Sequence, residues 1–143
     1  MEAEKLYDEI ASNILNIDLE RPVIIGINGI DAVGKSCFAE GLIEKLKPLT
    51  KRSVVQSSVD NFTVYRGIEE GLQPHLQPDA DKWYYEEAFP PLLVKSNFLI
   101  PLQKPDAAGR FSCNKAIFNW STDSSAEGQW EVVKHDAIVV FDG

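Results

Sequence analysis

The chain has 143 residues, with 14 Lys plus Arg against 22 Asp plus Glu, a formal net charge of −8, 44% hydrophobic and 25% charged residues. These values fit one globular domain with a core of ordinary size and exclude intrinsic disorder as its organising state. The acidic balance excludes a general nucleic-acid binder, which needs clustered Lys and Arg, yet leaves room for a site where backbone N–H groups and a metal compensate phosphate charge.

Leu6, Ile10, Ile14 and Ile17 recur at helical spacing, and Glu2, Glu4, Asp8 and Glu9 crowd the start, where the helix dipole favours acids. Residues 1–20 therefore read as an amphipathic N-terminal helix ahead of a core spanning 21–143. This acidic start lacks the basic-then-apolar layout of a secretory signal, and no apolar run is long enough to cross a membrane. Cys37 and Cys113 form neither a metal-ligand spacing nor a disulfide framework. The expected setting is the reducing cytoplasm, with no membrane partner.

Val23-Ile24-Ile25-Gly26-Ile27 is short, apolar and without alternation, which predicts a strand of a parallel sheet buried on both faces. A glycine-containing loop follows to Gly34. A helix is predicted from Lys35 to Lys47, burying Phe38, Leu42, Ile43 and Leu46 and stopping before Pro48. Residues 53–59 predict a second strand, ending at Asp60, and residues 61–82 a long turn-rich connection. Pro90 and Pro91 open a short helix through Val94. Residues 115–120 and 129–134 predict the two strands of a hairpin around a polar, Ser-rich turn. Ile138-Val139-Val140-Phe141 predicts a further buried strand, ending in Asp142-Gly143. The alternation of strands and helices points to an α/β fold with a parallel sheet and flanking helices.

Gly29-Ile30-Asp31-Ala32-Val33-Gly34-Lys35-Ser36 fills every fixed position of G-x-x-x-x-G-K-[ST], between a strand and a helix. Glycines at 29 and 34 permit backbone shapes and close approaches that a side chain blocks. Successive N–H groups then form an anion nest at a helix N-terminus. In such a loop Lys35 reaches the β- and γ-phosphates of a nucleoside triphosphate, and Ser36 offers its hydroxyl to Mg²⁺. Cys37, next in sequence, counts with the loop and is expected to be buried beneath it. The apolar strand ending in Asp142 fits the element whose carboxylate holds Mg²⁺ directly or through water. Asp60, at the end of the second strand, falls on the sheet edge where ligands gather. Two readings stand for it: a base accepting the proton of an attacking hydroxyl, or a carboxylate that caps the strand end.

The ordered segments VIIGINGIDAVGKSCFAEGL, VVQSSVDNFTVYR, PDADKWYYEEAF, AIFNWSTD and DAIVVFDG resemble the uridine kinase and phosphoribulokinase-like branch of P-loop kinases over roughly residues 21–143. The resemblance implies a P-loop α/β fold and ATP- or GTP-dependent phosphorylation of a nucleoside 5′-hydroxyl, with uridine or cytidine as acceptor. It implies Asp60 as general base, Ser36 and Asp142 as organisers of Mg²⁺, Arg66 at substrate or phosphate, and Glu87 at ribose. It implies that the segment near Ile117 to Trp120 covers the nucleoside. Asn119 and Pro90 stand where Asp is usual in this branch. Relatives continue past the strand ending in Asp into an arginine-bearing lid and two more strands. The resemblance therefore implies a core truncated after that strand, with Val23–Ile27 left as an uncovered sheet edge open to self-association.

Two other readings accompany this one: a kinase of another hydroxyl substrate, such as a sugar phosphate or vitamin precursor, and a catalytically inactive nucleotide-binding fragment or paralogue. A regulatory GTPase would carry Asn-Lys-x-Asp; here Asn114-Lys115 is followed by Ala116-Ile117. The cluster Trp83, Tyr84, Tyr85 and Phe89 reads as core packing.

Overall fold

The computed structural model describes residues 2–30, 32–63, 82, 89–119, 124–125 and 130–143. Helix α1 (Glu2–Leu15) buries Ala11 and Ile14, and α2 (Lys35–Leu46) buries Ala39, Leu42, Ile43 and Leu46. The two pack against each other where α2 carries Gly41. A Cβ there would stand 2.6 Å from the Tyr7 hydroxyl, so glycine admits the ring, which also lies 5.0 Å from that of Phe38. Phe38 itself is only half-buried.

Strands β1 (Val23–Ile27), β2 (Val54–Ser58) and β7 (Ile138–Asp142) form a parallel three-stranded sheet in the order β1-β7-β2. Central β7 is the most buried of the three, which accounts for its continuous apolar run. Its side chains alternate between two cores. Ile138 and Val140 join α1 and α2 on one face. Val139 joins Phe62, Val94, Phe98, Leu102, Cys113 and Val133 on the other. The sheet is thus covered on both faces, as an α/β fold requires.

Helix α3 has three consecutive segments: Pro91–Val94 is α-helical, Lys95–Leu99 is π-helical, and Ile100–Gln103 is α-helical. The Ile100 N–H reaches back five residues to the Lys95 carbonyl. This widened turn comes directly before Pro101, which has no N–H to donate and whose ring obstructs a regular turn. The sequence reading opened this helix correctly at the prolines and ended it too early.

Beside α3 the chain forms two nested antiparallel pairs, not the single hairpin expected. Strand β3 (Phe111–Asn114) pairs with β6 (Trp130–Val133), and β4 (Phe118–Asn119) pairs with β5 (Ser124–Ser125). Burial decides the pairing: Phe111 lies opposite Val133, and these two with Cys113 enter the core under α3. Residues 115–117, read as strand from sequence, form the connection between the two pairs.

Candidate functional site

The three parallel strands end at one edge of the sheet, and the chemistry-bearing residues follow them. After β1 the chain enters the glycine loop. Ala32 takes φ 59 and Gly34 φ 92, both left-handed. Gly34 adopts this shape freely, whereas Ala32 does so at a cost of roughly 1–2 kcal/mol. A Cβ on Gly29 would meet Val33 Cγ1 at 3.1 Å. The Asn28 side chain accepts a hydrogen bond from Gly29 N at 2.9 Å, and Lys35 Nζ donates to the carbonyls of Gly29 and Ile30, each at 2.9 Å. The lysine ammonium thus lies over its own loop.

Ser36, in the first turn of α2, donates to Asp142 Oδ2 at 2.7 Å. Asp142 is the last residue of β7 and only 3% exposed. The Ser58 hydroxyl donates to the same oxygen at 3.3 Å. Among the described residues no cationic side chain pairs with this buried carboxylate, and no buried side-chain polar atom is left without a hydrogen-bond partner. Burying a carboxylate in this way is costly unless a cation compensates it. The donor set, a hydroxyl and a carboxylate, is one that hard cations take. Among the described residues no group of three or more His, Cys, Asp or Glu side chains is placed to enclose a metal. Mg²⁺ is commonly held by one or two protein oxygens, with waters and substrate phosphates as its other ligands.

Asp60 follows β2 in a 3₁₀ turn, Val59–Phe62, and is exposed. Its N–H donates to the Ser58 hydroxyl at 3.3 Å. The turn and the strand before it are clamped to the β3–β4 connection: Ile117 N donates to the Asn61 carbonyl at 2.8 Å, and the buried Ser57 hydroxyl, in β2, donates to the Lys115 carbonyl at 2.6 Å. Phe62 anchors the turn from below, fully buried against Phe98 and Phe141.

A cleft of about 1220 Å³ lies over this edge. Gly29, Ile30, Ala32, Gly34, Lys35, Ser36, Cys37, Asp60 and Asp142 line it, so nine of the sequence-selected positions share one cavity. Val33 does not line it; its side chain is 59% exposed. Cys37 is exposed rather than buried, because the first turn of α2 opens toward the cleft. Asp31, Arg66 and Glu87 lie outside the described residues, as do Trp83, Tyr84, Tyr85 and Trp120. The cleft's far wall is apolar, built from Val59, Phe89, Pro91, Val94 and Leu99. Sequence reading missed this wall, because its members come from two separate segments. It also missed Asn28, for which the only signal is an Asx residue directly before the loop. A smaller side cleft of about 460 Å³ joins Ser36, Asp60 and Asp142 with Glu40. Asn114, the first residue of the partial guanine motif, is buried and donates to Asn97 at 3.3 Å, a structural contact.

The sequence matches no family model and no curated protein. Its fold is similar to that of a possible uridine kinase from Bacillus stearothermophilus, with a TM-score of 0.71 and 18% identity over 100% of this chain and 72% of the other. The shared architecture is a parallel sheet flanked by helices, with the glycine loop between its first strand and α2. No helix among the described residues is long and apolar enough to cross a membrane.

Proposed function

We propose that the chain binds a magnesium–nucleoside triphosphate at the Gly29–Ser36 loop and transfers its γ-phosphoryl group to the hydroxyl of a small acceptor, with uridine or cytidine as the first candidates. The observation that carries this reading is the convergence of Lys35, Ser36, Asp60 and Asp142 on one cleft at the carboxyl edge of the sheet. The fold shared with a possible uridine kinase supports the choice of acceptor.

The chemistry follows from the residues. Backbone N–H groups of the loop and the start of α2 receive the phosphates. Lys35 exchanges its two loop carbonyls for phosphate oxygens, gaining charge-assisted bonds in place of neutral ones. Ser36 keeps its proton on Asp142 while its lone pairs remain available to the cation. Bound there, Mg²⁺ would neutralise charge on the β- and γ-phosphates. Asp60 accepts the acceptor's hydroxyl proton as the new O–P bond forms and the bond to the β-phosphate oxygen breaks, releasing the diphosphate. Phe89, Pro91, Val94 and Leu99 offer the acceptor an apolar surface.

The test is titration calorimetry with MgATP and MgGTP, followed by diphosphate release with a panel of nucleosides, sugar phosphates and other hydroxyl compounds. Triphosphate binding together with release that depends on a nucleoside is expected. Binding with release only on a sugar phosphate or vitamin precursor would move the acceptor class. Binding without turnover on any acceptor would leave a nucleotide-binding protein, and no binding would refute the site.

A further inference from the structure

We infer that Ser58 is a positioning residue whose single hydroxyl holds both the Asp142 carboxylate and the turn bearing Asp60, coupling the cation site to the proton acceptor. The inference rests on the phosphoryl-transfer reading for its catalytic consequence, but its geometry stands independently of it. Ser58 and Asp142 are register partners at the ends of two adjacent parallel strands. Partners in register project side chains to the same face, so the hydroxyl and carboxylate meet there, at 3.3 Å. Ser58 is still extended, at φ −138 and ψ 152, and serves as the N-cap of the turn Val59–Phe62 by accepting from Asp60 N at 3.3 Å.

A hydroxyl has one proton and two lone pairs, so these contacts do not compete. The proton goes to Asp142, and a lone pair receives the Asp60 N–H. Both Ser36 and Ser58 donate to Oδ2 of Asp142, at 2.7 and 3.3 Å. With the lone pairs of Ser36 left to a cation, Ser58 gives Oδ2 a second donor that does not depend on α2. The same atom keeps Asp60 at the near end of a turn whose far end is fixed through Asn61 and Ile117. Alanine can make neither contact, whereas threonine can make both.

The experiment compares wild type, Ser58→Ala and Ser58→Thr, with equal thermal melting as the check on folding. In ligand-free protein, nuclear magnetic resonance reads hydrogen exchange at the Asp60 amide and the carboxyl carbon shift of Asp142. Ser58→Ala should speed that exchange and move that shift, and Ser58→Thr should restore both. With MgATP and acceptor, Ser58→Ala should lower kcat about tenfold, the equivalent of one net hydrogen bond, and raise the Mg²⁺ concentration needed for half-maximal rate. The double variant Ser58→Ala/Asp60→Asn should be no slower than Asp60→Asn alone. Unchanged resonances and Mg²⁺ dependence in Ser58→Ala, or a threonine variant as impaired as alanine, would overturn the inference. A wild type without turnover would sink the functional reading instead, and the two resonance measurements would still decide on Ser58.

Discussion

Ser36 and Asp142 stand 106 positions apart in the chain, and the hydroxyl of the first donates to the carboxylate of the second at 2.7 Å. The contact joins the first turn of α2 to the end of central β7 and defines the floor of the cleft. Removing the hydroxyl leaves a buried carboxylate with Ser58 as its remaining side-chain donor among the described residues. Ser36→Ala should weaken MgATP binding by about 10–100-fold, the range typical of disturbed metal sites. In excess chelator, wild type and variant should bind metal-free ATP equally. Calorimetry with and without Mg²⁺ checks this; equal loss in both conditions would mean that Ser36 serves the loop rather than the cation.

Lys35 makes a separate contribution. Among the described residues its ammonium has loop carbonyls as partners, so an arriving triphosphate offers it a better set. Lys35→Ala should cost about 10–100-fold in ATP affinity, the worth of one or two charge-assisted hydrogen bonds. The loss should persist in chelator, which separates Lys35 from Ser36. It should shrink as salt rises, because the interaction is ionic.

Asp60 is exposed on a short turn, so its substitution disturbs little packing. Asp60→Asn should lower turnover by about 10²–10⁴-fold while nucleotide affinity stays at the wild-type value, because a base acts in the transition state. Single-turnover measurement beside calorimetry checks the split. A parallel loss of affinity would assign Asp60 to the cation instead.

The glycine loop, its helix and the strand ending in Asp142 were legible because each obeys a local rule: fixed glycines, helical spacing, or an uninterrupted apolar run. The pairing around β3 was not, because Phe111-Ser112-Cys113-Asn114 is short and half polar. Only burial against α3 reveals its register with β6. The π turn before Pro101 depends on how α3 satisfies its own carbonyls, which periodicity does not report. Ser58 was visible as part of a motif but not as a bridge, since its two partners come together only when β2 and β7 align.

Cys113 supplies a test of the core beneath the site. Burial under α3 pushes its thiol up to about 11, with the Glu131 carboxylate adding to the rise and Lys115 opposing it. The folded protein keeps this proton after the unfolded chain has lost it near its ordinary value of about 8.5. The thiol's contribution to stability is therefore complete below about pH 8.5 and falls as pH climbs toward about 11. The loss is on the order of 3 kcal/mol. Denaturant melts of wild type and Cys113→Ala at both ends of this window should show a steeper decline for wild type. A thiol reagent at neutral pH should label exposed Cys37 and spare Cys113.

The last prediction concerns the open side of β1. Val23 N donates to the Ala137 carbonyl at 2.9 Å and Gly143 N to the Ile27 carbonyl at 3.0 Å. In a parallel ladder these bonds fix the phase: Val23, Ile25 and Ile27 face β7, while Ile24 and Gly26 turn their N–H and C=O groups to the side of β1 that pairs with no strand among the described residues. Those two residues are symmetric about Ile25, so an antiparallel second copy can satisfy all four groups by pairing Ile24 with Gly26 in both directions. Such apolar edges favour association unless charge opposes it. Each copy carries a net charge of −8, so association should rise with ionic strength as repulsion is screened. Gly26→Pro removes one edge donor without breaking a bond to β7, and it should return the protein to monomer. Light scattering across salt and protein concentration, run on both forms, decides the matter: a wild type that stays monomeric throughout would show that this edge takes no second copy.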